Sequence, residues 1–243
     1  MNLVVDIGNT SVKMAVFQNN SLLHKLIFPL SDFSNNFQKI KIQFPEIETT
    51  ILSSVVKTIS KEKKLLQRDT YFFELTQALS LPFENKYATP ATLGKDRIAL
   101  VAAAVAKFPK KNTLVIDAGT CVTFDFKNDK EEYLGGAISP GLEMRFKALH
   151  NFTANLPLLK PGENLELIGG STEASMTSGV VNGLLLEIDG TIASYATEYE
   201  DLTIILTGGD AQFLSVRLKN SIFANSNFLL EGLNYILEFN KTQ

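Results

Sequence analysis

The chain has 243 residues, room for one large domain or two of about 120 each. Hydrophobic residues make up 45% and charged residues 20%, the balance of an ordinary globular protein. The net charge of −3 argues against nucleic acid as the main partner, because a phosphate backbone calls for clustered Lys and Arg. A single cysteine, Cys121, excludes an intrachain disulfide, and His24 and His150 have no zinc-site spacing. No apolar stretch approaches the ~20 residues of a membrane helix. The N-terminus enters a strand directly, with no basic segment ahead of a long apolar one, so a reducing, cytoplasmic location is expected.

Residues 2–7 read as a buried strand, 12–18 alternate as a second, and 21–28 form a third after the polar Gln18-Asn19-Asn20 turn. Gly8-Asn9 is expected to turn the first hairpin, because both residues tolerate positive φ. Charged helical patterns at 33–43 and 59–67 precede strands at 51–56 and 71–75, and the run Lys61-Glu62-Lys63-Lys64 reads as a solvated helix face. Residues 96–108 are Ala-rich and predict a buried helix. The order then repeats: strands at 113–117, 121–127 and 132–138, with Asn128-Asp129 as a turn. Helices follow at 142–150 and along 173–199. A strand at 202–206, a helix at 211–219, a short strand and a final helix near 229–239 complete the pattern. Cys121 is expected to be a small buried strand residue. A boundary near 108–112 divides the chain into residues 1–110 and 111–243, each a mixed sheet covered by helices.

The chemistry concentrates in a repeated turn. Asp6-Ile7-Gly8-Asn9-Thr10-Ser11-Val12-Lys13 returns in outline as Asp117-Ala118-Gly119-Thr120. Each copy follows an apolar strand and leads into an alternating one. Two such turns, one near the start of each half, suggest two similar domains with an aspartate from each lining one cleft, which suits phosphoryl transfer from a nucleoside triphosphate. Gly8 to Ser11 offer backbone N–H groups to an anion, and Lys13 adds a point charge. Asp6 can hold Mg2+ through water. An ordinary hairpin whose aspartate bonds its own turn is the plainer reading, and the second copy weighs against it. No Walker-type Gly-x-x-x-x-Gly-Lys-Thr run exists, which excludes the P-loop kinase pattern.

Gly94-Lys95-Asp96-Arg97 opens the predicted helix at 96–108. Asp96 is either an N-cap or a general base accepting a hydroxyl proton, and Arg97 suits an anionic group. Tyr87, seven residues before Gly94, either lines the same pocket or is simply exposed. Thr207-Gly208-Gly209-Asp210 is either an adenine edge or a βα turn capped by Asp210. Gly169-Gly170-Ser171-Thr172-Glu173 turns into the long helix with Ser171 or Thr172 as cap. Leu134 to Gly141 brings backbone towards the same region.

Taken together and in this order, these motifs resemble the type III pantothenate kinases, of the acetate and sugar kinase, Hsp70 and actin superfamily. The Gly-x-Asp-Arg motif with its upstream tyrosine narrows the resemblance to that family. It implies two RNase H-like domains with the active site in the cleft between them. It implies ATP-dependent phosphorylation of pantothenate to 4′-phosphopantothenate, the first step towards coenzyme A. Residues 6–13 and Thr120 would bind ATP, and Asp96 would accept the proton. Tyr87, Gly94, Lys95, Asp96, Arg97 and Thr172 would contact pantothenate, with Ser171 and Thr177 as neighbours of Thr172. It further implies Mg2+ with ATP, a monovalent cation (K+ or NH4+) at Asp117, and a homodimer, with no nucleic acid or membrane partner. Another small-molecule kinase of the superfamily, or a nucleotide-binding accessory or regulatory protein, remains the alternative.

Overall fold

The computed structural model describes residues 1–56, 58–76, 78–162 and 165–241. It divides into two compact units, Met1–Lys107 with Asn227–Gln243, and Phe108–Ser226. The first break falls after residue 107. The last helix, in contrast, clusters with the first unit rather than with residues 111–226.

In the first unit, β1 (Asn2–Ile7), β2 (Val12–Gln18) and β3 (Ser21–Phe28) form an antiparallel meander. After α1 (Phe33–Gln43), β4 (Thr49–Ser54) returns parallel to β1; after α2 (Ser60–Asp69), β5 (Tyr71–Glu74) is parallel to β4. The spatial order is β3-β2-β1-β4-β5. Strand alternation sends Leu3, Val5 and Ile7 to a core with Phe33, Phe37, Ile40 and Leu66 of the two helices. A two-residue strand, β6 (Glu84–Asn85), precedes α3 (Lys95–Lys107). The Ala-rich α3 is buried along nearly its whole length, as a helix with apolar residues on all sides must be. It packs on α8 (Phe228–Lys241), which also lies against β1 and β4. The two helices approach so closely that a Cβ on Gly232 would lie 1.8 Å from the Ala99 carbonyl oxygen.

The second unit repeats the plan. Strands β7 (Thr113–Ala118), β8 (Cys121–Lys127) and β9 (Glu132–Pro140) are an antiparallel meander, and β10 (Thr203–Thr207) and β11 (Phe223–Ala224) add in parallel. These five strands run in the order β9-β8-β7-β10-β11, the counterpart of β3-β2-β1-β4-β5 in the first unit. Leu114, Ile116, Val122, Phe124 and Phe126 pack against α4 (Leu142–Asn151) and the long helix, with α7 (Ala211–Ser215) beside them.

Several expectations need correction. Gly8 and Asn9 do not take positive φ. The hairpin closes instead through a four-residue loop with the Gly8 amide donating to the Ser11 carbonyl at 3.0 Å, a geometry that needs no left-handed residue. The helix over 173–199 is not continuous. It runs as α5 (Thr172–Thr177), a π-helical turn at Ser178–Asn182, and α6 (Gly183–Glu198). α7 stops at Ser215 rather than 219. Cys121, first residue of β8, is partly exposed. No helix among the described residues is long and apolar enough to cross a membrane.

Candidate active site

The first unit assembles five of the expected residues at one end of its sheet. Asp6 is the penultimate residue of β1, with Lys13 opposite it on β2 and Ser53 opposite on β4. Alternation places Asp6 with Asn2 and Val4 on the face opposite Leu3 and Val5, the face that α8 covers. Its carboxylate is buried and lies 3.6 Å from the Lys13 ammonium. Burial pushes the Asp6 carboxyl above the usual carboxylate range. The like charge of Asp96 pushes the same way, while Lys13 and a hydrogen bond from Ser53 pull it back. Asp6 and Asp96 therefore share one electrostatic site. Ser53 was not expected there, and its only sequence signal is its place at the end of a strand parallel to β1.

Asp96 is the second residue of α3, inside the helix rather than at its cap. Its Oδ1 accepts the Arg97 amide at 2.9 Å, so the carboxylate is held at the helix N-terminus, where the dipole favours negative charge. Arg97 is buried, and its guanidinium carbon lies 5.6 Å from the centre of the Tyr87 ring. That cation–π contact makes Tyr87 part of the arrangement rather than a lone exposed ring. Lys95 points elsewhere, 3.6 Å from Glu74, which also takes Lys63 at 2.8 Å.

In the second unit three segments converge on the other acidic turn. Asp117 is the penultimate residue of β7, with Thr123 and Thr207 in register on either side, where Asp6 has Lys13 and Ser53. The Gly141 amide donates to the Thr120 carbonyl at 3.1 Å, and a Cβ on Gly141 would fall 2.1 Å from the Gly119 carbonyl oxygen. From the other side, the Asp210 amide donates to the Ala118 carbonyl at 2.9 Å. Gly208 has φ +97°, and a Cβ there would sit 2.2 Å from the Ala118 oxygen and 2.5 Å from Asp117 Oδ1. Asp210 stands at the N-cap of α7 without a side-chain capping bond. Its carboxyl is pushed up by burial and then by nearby Glu143. Thr120 is exposed and free of bulky cover.

Ser171 is the N-cap of α5, its Oγ accepting the Ala174 amide at 3.2 Å, which leaves the Thr172 hydroxyl outside that role. The π turn anchors the approach to this cap. Buried Ser178 donates to the Leu167 carbonyl at 2.8 Å, and Asn182 Nδ2 reaches the Glu166 carbonyl at 3.2 Å.

Among the described residues, no three His, Cys, Asp or Glu group as a metal site. One buried carboxylate beside an anion-binding turn fits Mg2+, which keeps several waters and takes its remaining ligands from phosphates. Asp117, flanked in register by two hydroxyl residues instead of a lysine, fits a weakly held monovalent ion.

The profile of the type III pantothenate kinase family matches residues 2–194. A type III pantothenate kinase of Christiangramia forsetii is 62% identical over 243 residues, covering 100% of both chains. One from Flavobacterium johnsoniae is 49% identical with 98% of each chain covered. Among solved structures, a Baf family protein from Campylobacter jejuni has TM-score 0.66 at 21% identity, covering 99% of this chain and 100% of its own. A glucokinase from an Antarctic psychrotroph has TM-score 0.53 at 13% identity, covering 98% of each. The second likeness fixes the fold as the duplicated RNase H-like architecture of the sugar kinases. Full-length identity and the ordered motifs together show that the chain belongs to the type III pantothenate kinase family.

Proposed function

We infer that this chain transfers the γ-phosphoryl group of ATP to the primary hydroxyl of pantothenate, giving 4′-phosphopantothenate for coenzyme A synthesis. The observation that carries the reading is the cluster of Asp6, Lys13, Asp96, Arg97 and Tyr87 in a chain of this family. Phosphoryl transfer is governed by positioning and charge stabilisation more than by covalent help. Asp96, held by the Arg97 amide at a helix N-terminus, accepts the hydroxyl proton as oxygen bonds to phosphorus and ADP departs. Arg97 takes the pantothenate carboxylate, with Tyr87, Gly94 and Thr172 shaping the pocket, while Lys95 contributes through its backbone because its ammonium is turned to Glu74. Residues 6–13 and Thr120 hold ATP through backbone amides and the Lys13 ammonium. Mg2+, oriented through water by Asp6, would neutralise charge on the phosphates, and Asp117 would hold K+ or NH4+.

A homodimer belongs to the same reading. An apolar groove of about 710 Å³, lined by Leu149, Phe152, Leu156, Met176 and Val180, opens on the second unit. Phe152 is 88% exposed beside it. We assign this face to a second copy of the chain. Thr172 lies one helical turn from Met176, which supports substrate contact by Thr172 near that face.

The decisive assay follows ATP consumption with and without pantothenate, with mass spectrometry of the product. Turnover only with both pantothenate and Mg2+ is expected. Absence of phosphopantothenate across several nucleotides and cations would refute the reading.

A further inference from the structure

Arg145 makes three polar contacts, and two of them go to one short segment. It sits in the first half of α4, largely buried. Its Nε donates to the Pro140 carbonyl at 2.8 Å, and its Nη2 donates to Ser139 Oγ at 2.9 Å and to Glu187 Oε2 of α6 at 2.5 Å. On its other side Arg145 borders the largely apolar groove lined by Ala148, Leu149 and Met176. The planar guanidinium thereby grips Ser139-Pro140 through both Nε and Nη2, and the carboxylate of Glu187 holds the shared Nη2 in place. The next residue, Gly141, donates its amide to the Thr120 carbonyl and lies against the Gly119 carbonyl with no room for a Cβ. Pro140 and Ser139 also stand in register with Cys121 and Val122, the two residues after Thr120.

We propose that Arg145, oriented by Glu187, is a positioning residue that holds Ser139-Pro140-Gly141 rigidly against the Gly119-Thr120 turn and so sets the turn's place on the nucleotide phosphates. The proposal rests on the assignment of Thr120 to ATP. Glu187 acts only through Arg145. A partly exposed ion pair contributes little to global stability. Its loss should therefore register in turn mobility and ATP use rather than in unfolding.

The test compares Arg145→Met, Arg145→Lys, Glu187→Gln and the Arg145→Met/Glu187→Gln double variant with the parent. Two readouts are taken: amide hydrogen exchange of residues 119–122 and 141, and steady-state kinetics with ATP and pantothenate varied separately. Because misplacement by about 1 Å costs on the order of 10²-fold, a loosened turn should lower kcat/KM for ATP by roughly tenfold or more in Arg145→Met. KM for pantothenate should stay within about twofold and the thermal midpoint within a few degrees. Exchange at Gly141 and in 119–122 should rise. Lysine cannot reproduce the fork, so Arg145→Lys should share most of the defect. The double variant should be no worse than Arg145→Met.

Unchanged exchange and unchanged kcat/KM for ATP in folded Arg145→Met would overturn the proposal while leaving the kinase reading intact. Full recovery in Arg145→Lys would overturn the fork, and a double variant worse by the product of the singles would overturn the dependence of Glu187 on Arg145. A parent inert with ATP and pantothenate would overturn both readings together.

Discussion

Gly208→Ala tests the second acidic turn most sharply. The new Cβ would arrive 2.2 Å from the Ala118 carbonyl oxygen and 2.5 Å from Asp117 Oδ1, whereas real Cβ contacts essentially never fall under 3.0 Å. One side must therefore yield by about 1 Å, and both neighbours belong to the turn that bears Asp117. The φ of +97° adds a backbone cost, since left-handed conformations disfavour a Cβ by about 1–2 kcal/mol. With about 1–3 kcal/mol for overpacking, the variant should lose about 2–5 kcal/mol. At about 2–4 °C per kcal/mol for a chain of this size, the thermal midpoint should fall by roughly 4–20 °C. Where folded protein remains, a displacement of about 1 Å at the site should lower kcat on the order of 10²-fold. The control is the adjacent Gly209→Ala. Its Cβ meets nothing within 4 Å and its φ is not positive, so stability should stay within about 0.5 kcal/mol and activity near the parent's. Calorimetry and phosphopantothenate formation on both variants decide the matter. A Gly208→Ala protein that is destabilised yet fully active per folded molecule would separate this turn from catalysis. Equal effects at 208 and 209 would refute the steric argument itself.

Asp96→Asn keeps the side chain's size but removes the proton acceptor, and kcat should fall about 10²–10⁴-fold with ATP binding retained. Near-parental turnover in a folded variant would show that Asp96 is not the base. Replacing K+ by Na+ should lower activity strongly, and Asp117→Ala should lower it in either salt; equal rates in both salts would remove the ion from the account. Asp6 gives a pH prediction. Its carboxyl is raised by burial, so between the ordinary carboxylate value and the raised one the folded chain retains a proton the unfolded chain has lost. Stability falls as pH rises through that window. Asp6→Asn should therefore unfold at a higher temperature than the parent near about pH 7, with the gap closing towards about pH 4, while activity is lost. A variant less stable than the parent at neutral pH would mean that the Lys13 pairing outweighs burial.

What was legible in the sequence was what local order encodes. The two acidic turns, the strand meanders and the Gly94 to Arg97 motif all lie within short spans whose alternation and turn chemistry state their geometry. Contacts between distant positions were not legible. Ser53 reaches Asp6 because β4 returns parallel to β1, and Arg145 meets Glu187 because two helices lie side by side. The π turn at 178–182 contains Gly179 and runs into Gly183, but glycines in a helical pattern do not say that the extra residue of a π turn sits there. The left-handed conformation expected at Gly8-Asn9 is absent there; it is found at Asn19 and Asn20 of the next hairpin and, among other positions, at Gly208, where close approach to Ala118 requires glycine. The placement of residues 228–241 was unreadable for the same reason, because amphipathic helices do not name the sheet they cover.

That last helix has a bearing on the order in which the protein matures. Residues 108–226 form one uninterrupted compact unit, so they can collapse as soon as they leave the ribosome. The earlier residues 1–107 can do so only in part: the sheet face under α1 and α2 holds its own core, but α3, with Asp96 and Arg97 in its first turn, waits for α8 to bury its other side at Ala99. The half made first is thus finished last, and the proton acceptor is fixed in place only when residues 228–241 have docked. A nascent chain stalled short of residue 228 would show an apolar α3 surface to chaperones while its second unit was already protected from proteolysis.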